Sequence, residues 1–372
     1  MYERFRRFLF RLDPERAHNL GIVAARMGQR LLPGMLERRF AFESERLHTE
    51  VLGQSFASPV GIAAGFDKNA RLIPFWGILG CGFAEVGSIT AKRSKGNRRP
   101  RAFRLEEAQA IINRMGLNNQ GAARIGRRLA KGSPHPLPVA ISLAKTHDPS
   151  IEGAAAIEDF ATSFSACAPF ASMVVLNLSC PNTAEGRTFE DPNALDELLT
   201  RIVPLNQALD NPLPILIKLS PPVSDRFVLD SEVDELLDVS RAHNVAGVVA
   251  SNTESGRDLL DVPQSKLDAI GPGGLSGAPL RSRSTALVRY LYEKTEGTMT
   301  IVGVGGVSSG AHAYEKIRAG ASLVQLYTGM VYEGPAVFQR IKQDLAGLLE
   351  RDGFATVAEA VGADTEISAR PV

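Results

Sequence analysis

The stretch Asn177-Leu-Ser-Cys-Pro-Asn182 sets a cysteine between two asparagines, directly before a proline and just past the apolar run Ser172–Leu178. A free thiol ionises at about pH 8.5, so a cysteine held over a substrate can serve as a base near neutrality. The flanking amides offer donors and acceptors to a ring of the same chemistry. The plain alternative is a thiol packed at the end of a strand. Similar groups recur down the chain, each at the end of an apolar run: Asp67-Lys68-Asn69, Ser88-Ile-Thr90, Lys145, Lys218 and Ser251-Asn-Thr253. Any one of these lysines could be a solvated rim charge; five such ends meeting in one mouth would make a site.

The runs that must position them number eight: 60–64, 83–88, 138–143, 173–178, 214–219, 246–250, 300–304 and 322–327. Stretches of helical pattern lie between them, such as 191–208, 231–243 and 310–319. Even strand–helix repetition predicts an α/β protein, a (β/α)8 TIM barrel over residues 41–372, rather than a doubly wound sheet. A hairpin is expected at 47–58, with Gly53 near its turn. Residues 1–40 read as a small N-terminal helical domain of two helices. One carries Tyr2, Phe5, Phe8, Leu9 and Leu12. The other opens at Asp13-Pro14 and is stopped by Pro33-Gly34.

Composition narrows the function. The 372 residues are 44% hydrophobic and carry a net charge of +1, which excludes a generally basic nucleic-acid binder. Residues 1–40 hold nine arginines against four carboxylates, leaving −4 for the rest. An arginine-rich helix with a phenylalanine and leucine face suits a membrane interface, or equally a face packed on the main domain. Three cysteines without CxxC spacing form neither a disulfide framework nor a metal site, and point to a reducing compartment. No run of about 20 apolar residues is present, so no spanning helix is expected.

In a barrel the loops after strands 7 and 8 cradle phosphate. Gly305 and Gly306 of "GVGGVSSG", with Tyr327 and Thr328, fit that role, although a lone glycine cluster is weak evidence. Lys218 enters the same mouth, where a fixed cation would stabilise charge on a reduced ring. A flavin mononucleotide meets both demands.

The blocks "AAGFDKN", "FRLEEAQAIINRMGLNNQG", "NLSCPNT", "SNT", "GGLSGAPL", "GVGGVSSG" and "AGASLVQLYTG" together resemble dihydroorotate dehydrogenases over nearly the whole chain. "LDPERAH" and the overall length resemble the membrane-associated, quinone-dependent class. The resemblance implies FMN contacts from Ala63, Ala64, Gly65, Ser88, Ser142, Asn177, Lys218, Ser251, Gly277, Gly306, Tyr327 and Thr328. It implies dihydroorotate and orotate contacts from Lys68, Asn113, Arg114, Met115, Gly116, Leu117, Asn177, Asn182, Asn252 and Thr253. His18 and Arg104 would line a tunnel for a ubiquinone-type quinone, with the N-terminal helices peripheral on the cytoplasmic side of the cell membrane. No metal is expected.

Cys180 then becomes the expected catalytic base, removing the C5 proton of dihydroorotate. It departs from the serine usual in the quinone-dependent class and matches the soluble one. Ser142 stands where the family usually places an asparagine, and Ser251 where it places threonine. A soluble-class enzyme using fumarate or NAD, or another FMN barrel reductase, remains an alternative.

Overall fold

The computed structural model describes residues 2–178, 188–221 and 231–367. Three helices come first: α1 (Tyr2–Phe10), α2 (Pro14–Leu31) and α3 (Pro33–Phe40). Asp13 caps α2, accepting from the Glu15 and Arg16 amides, and Pro14 takes the first helical position. The expected pair is thus a trio. Pro33, read as a stop, opens α3 instead, because the first turn of a helix leaves the missing N–H unpaired anyway.

The strands are β1 (Thr49–Val51), β2 (Gln54–Phe56), β3 (Val60–Ile62), β4 (Phe83–Ile89), β5 (Ala102–Leu105), β6 (Ala110–Asn113), β7 (Val139–Leu143), β8 (Met173–Asn177), β9 (Ile215–Leu219), β10 (Gly247–Ala250), β11 (Gly274–Gly277), β12 (Thr300–Val304) and β13 (Leu323–Leu326). Eight of them close into a parallel barrel in the order β3–β4–β7–β8–β9–β10–β12–β13. These are the eight runs read from the sequence. They are almost wholly buried, as parallel strands covered on both faces must be.

β1 and β2 form the expected hairpin, turning at Leu52 and Gly53, both with positive φ. From β2, Phe56 packs on Phe83 at 5.8 Å and joins the cluster that includes Met173, closing the end of the barrel where the strands begin. The chemistry is therefore confined to the opposite rim.

A second sheet, antiparallel in the order β11–β6–β5, has a core of its own in Leu105, Ile112 and Leu275. It was not foreseen. Ser276 pairs with Ile111 across 165 residues of chain, a separation that local pattern cannot bridge. α2 packs against β5 and against α4 (Ile73–Ile78), and α1 against the helix Thr328–Glu333.

Candidate active site

A cavity of about 590 Å³ runs from the rim of the barrel, past the three-stranded sheet, to the inner faces of α1–α3. Eleven of the twelve positions expected to hold FMN line it: Ala63, Ala64 and Gly65 after β3, Ser88 on β4, Asn177 on β8, Lys218 on β9, Ser251 after β10, Gly277 on β11, Gly306 after β12, and Tyr327 with Thr328 after β13. Lys68, Asn113, Met115, Gly116, Leu117, Asn252 and Thr253 line it too, and His18 and Arg104 bound its helical end. Cys180 and Asn182 lie outside the described residues.

Two expected positions stand elsewhere. Arg114 donates to the carbonyls of Ile270 (2.6 Å) and Pro272 (3.0 Å) and lies 4.6 Å over the Phe103 ring, so its side chain ties two segments together instead of lining the cavity. Ser142 is fully buried behind the wall, its hydroxyl 2.9 Å from that of Ser88.

Ser142 ends a chain of hydrogen bonds along the rim. Asn252 donates to Asn177 Oδ1 (3.1 Å), Asn177 Nδ2 donates to Ser88 Oγ (3.0 Å), and Ser88 meets Ser142. Four barrel strands thereby fix which face of each amide is presented. A serine at position 142 is long enough to finish this rail but too short to reach past Ser88.

Lys218 is buried, with Nζ 3.4 Å from Oε1 of Glu85, itself fully buried on β4. Lys68 folds back to donate to Gly65 O at 2.5 Å. Burial draws its ammonium down to about 8, opposed by the charge of Glu15. Asp67 has a structural duty: its carboxylate accepts from the Leu72 and Asn69 amides, turning the loop that carries Lys68.

The far wall fits a flat phosphorylated ligand. Gly306 has φ +71°, and a Cβ there would come within 2.9 Å of the Arg281 backbone; one at Gly277 would come within 2.3 Å of Gln109 O. Only glycine allows the chain to pass so close and still leave the space before it open. Gln325 Oε1, buried among the lining residues, has no partner among the described residues. These features and the Lys218 cation suit a flat ring that carries a phosphate.

The helical end is apolar. His18 meets Phe66 edge-on at 4.9 Å, and Phe66 meets Tyr327 at 5.4 Å, a run of rings from α2 to the cradle. Burial holds the His18 imidazole neutral, drawing it down to about 3. Arg104 lies over Phe10 at 4.5 Å and donates to the carbonyls of Leu9 and Leu12, at and just past the end of α1. Sequence reasoning missed Glu15, Arg101 and Glu85. An acid in the first turn of a helix reads as a partner for the helix dipole, and nothing local marks it as buried.

The other two thiols are out of play. Cys81 and Cys167 are buried, and burial raises Cys167 to about 12 and Cys81 further.

Polar groups at the strand-exit rim, with the opposite end plugged, place the chain in the class of (β/α)8 enzymes. The sequence pattern of the family described as "Dihydroorotate dehydrogenase" matches residues 46–349. A Roseiflexus sp. (strain RS-1) protein named dihydroorotate dehydrogenase (quinone) is 43% identical over 367 residues, covering 97% of this chain and 98% of that one. Its Cereibacter sphaeroides (strain KD131) counterpart is 44% identical over 354 residues, 95% of each. The crystal structure of DHODH in complex with ferulenol from Eimeria tenella superposes with a TM-score of 0.84 at 32% identity, covering 96% of both chains. The chain belongs to the dihydroorotate dehydrogenase family.

Proposed function

We propose that the protein oxidises (S)-dihydroorotate to orotate in pyrimidine synthesis, with FMN as its cofactor and a quinone as the final electron acceptor. One observation carries the reading: a single cavity joins the amide rail to an apolar helical cover, so a polar ring and a lipid-soluble acceptor can approach one group from two sides. FMN seated between them supplies a two-electron carrier.

The protein's own residues divide the remaining work. Asn113, Asn177, Asn252 and Thr253 pair with the ring amides of dihydroorotate, and the Lys68 ammonium faces its carboxylate. Cys180 takes the C5 proton as hydride leaves C6; an ionisable thiol does this without the relay a serine needs. Lys218 offers a fixed positive charge where negative charge develops. Residues 41–372 would thus form the catalytic barrel, and residues 1–40 the quinone funnel bounded by His18 and Arg104.

The funnel would also dock on the cytoplasmic face of the cell membrane. All eight exposed large hydrophobic side chains among the described residues lie from Phe5 to Met35. Arg4, Arg7, Arg11, Arg16, Arg30, Arg38 and Arg39 are exposed in the same segment. No described helix is long and apolar enough to cross a membrane, so the segment would lie on the surface.

The test is optical. Purified protein should be yellow, bleach when dihydroorotate is added without oxygen, and regain colour with a soluble ubiquinone analogue but not with fumarate or NAD. Recolouring by fumarate alone would move the protein to the soluble class; no bleaching would end the reading.

A further inference from the structure

Glu15 belongs to the helical cover, yet it is only 8% exposed. Two arginines from the loop before β5 enclose it. Arg99 donates through Nε (3.0 Å) and Nη2 (2.8 Å), and Arg101 through Nε (3.0 Å) and Nη2 (2.7 Å). Two forks on one carboxylate are a strong, directional joint.

The two forks are not equivalent. Arg99 is 67% exposed and Arg101 only 5%. Arg101 continues inward: its Nη1 donates to the carbonyls of Lys95 (2.8 Å), Asn97 (2.9 Å) and Met115 (3.4 Å). Its own carbonyl accepts from the Arg114 amide at 2.8 Å. Asn97 grips the same segment, donating from its backbone to Met115 O (3.1 Å) and from its side chain to Arg114 O (3.0 Å). Gly116 passes so close that a Cβ there would come within 2.7 Å of the Asn97 nitrogen. A continuous path thus leads from α2 to the segment Arg114–Gly116.

We propose that Glu15 is a positioning residue for substrate binding: by orienting Arg101 it fixes the Arg114–Gly116 backbone, so that docking of α2 sets the affinity of the substrate subsite. This rests on the reading that the segment Asn113–Leu117, apart from the Arg114 side chain, holds dihydroorotate. The helical cover then does more than admit quinone, because a change in its seating reaches the other substrate. Glu15 also acts across the cavity on Lys68, whose charged form it favours.

The experiment uses the flavin-loaded, full-length enzyme. Orotate affinity is read from the visible-spectrum shift on binding, alongside KM and kcat at saturating quinone. E15Q should raise the orotate Kd and the dihydroorotate KM about tenfold while kcat stays within about threefold, since no reacting group is touched. E15D should recover part of the affinity, and R99A should change it by less than about threefold, because an exposed fork contributes little. An E15Q enzyme with orotate affinity within about twofold of wild type would overturn the proposal, as would R99A weakening binding equally. If E15Q fails to hold flavin, E15D and R101K carry the test, and unchanged affinity in both overturns it. N113A separates the two layers. Weakened binding in N113A beside normal binding in E15Q refutes the positioning role alone. Unchanged binding in N113A removes the subsite and the proposal together.

Discussion

Replacing Lys218 with methionine tests the buried pair beneath the cavity. The substitution keeps the length and most of the volume of the side chain but removes the charge 3.4 Å from Glu85 Oε1. Coulomb's law at that distance and an effective dielectric of about 20 gives about 5 kcal/mol, in line with the roughly 3–5 kcal/mol lost when a buried pair is broken from one side. Glu85 is fully buried, and its Oε2 has no partner among the described residues, so no solvent takes over the work of Lys218. Lys218→Met and Glu85→Gln should each lower unfolding free energy by about 3 kcal/mol or more, measured by urea titration with flavin bound. The double variant should be less destabilised than the sum of the singles, by at least about 1 kcal/mol, since neither charge is left stranded. Strict additivity would show that the two charges do not act as a pair. Lys218→Met should also slow bleaching by dihydroorotate, whereas Glu85→Gln, which keeps the cation, should slow it much less.

Other outcomes are equally open to measurement. Two arginines hold the Glu15 carboxylate at about 2, below its ordinary 4.5, despite burial. A lowered carboxylate stabilises the fold above its unfolded value and loses that stabilisation as pH falls. About 2–3 kcal/mol should therefore vanish between about pH 4.5 and pH 2, and acid titration of E15Q should lack that part of the loss. Cys180→Ala should reduce turnover by about 100-fold or more, while Cys180→Ser should move the acidic, ascending limb of the pH–rate profile to higher pH, because a base works only once ionised; near-normal turnover in the alanine variant would remove the thiol from the mechanism. Leu31→Glu, at a side chain 70% exposed, should weaken binding to anionic phospholipid vesicles in a flotation assay without altering bleaching by dihydroorotate. Equal vesicle binding would place the docking face elsewhere.

Local pattern carried the barrel far. Eight apolar runs had only to be buried on both faces, and runs such as Ile215–Leu219 announce that by composition alone. Strand ends also located the polar rim of the cavity, such as Ser88, Asn177, Lys218 and Asn252, because a barrel delivers those ends to one rim whatever the loops do. Hydrophobic spacing likewise revealed the basic, apolar helices before residue 40, though not that Pro33 begins one of them.

Side-chain direction was another matter. Arg114 sits in the middle of a motif that bounds the cavity, yet it turns toward Ile270 and Pro272. Ser142, expected among the FMN contacts, is the anchor of the amide rail. Glu15 meets Arg101 across 86 residues, and Ser276 meets Ile111 across 165. The amino-acid order by itself determined which segments are apolar and how often they recur, since burial depends on composition within a few turns. Which polar groups face one another was decided only by the closed barrel and its helical cover, because a hydrogen bond needs a partner within about 3 Å and sequence says nothing about distance through space.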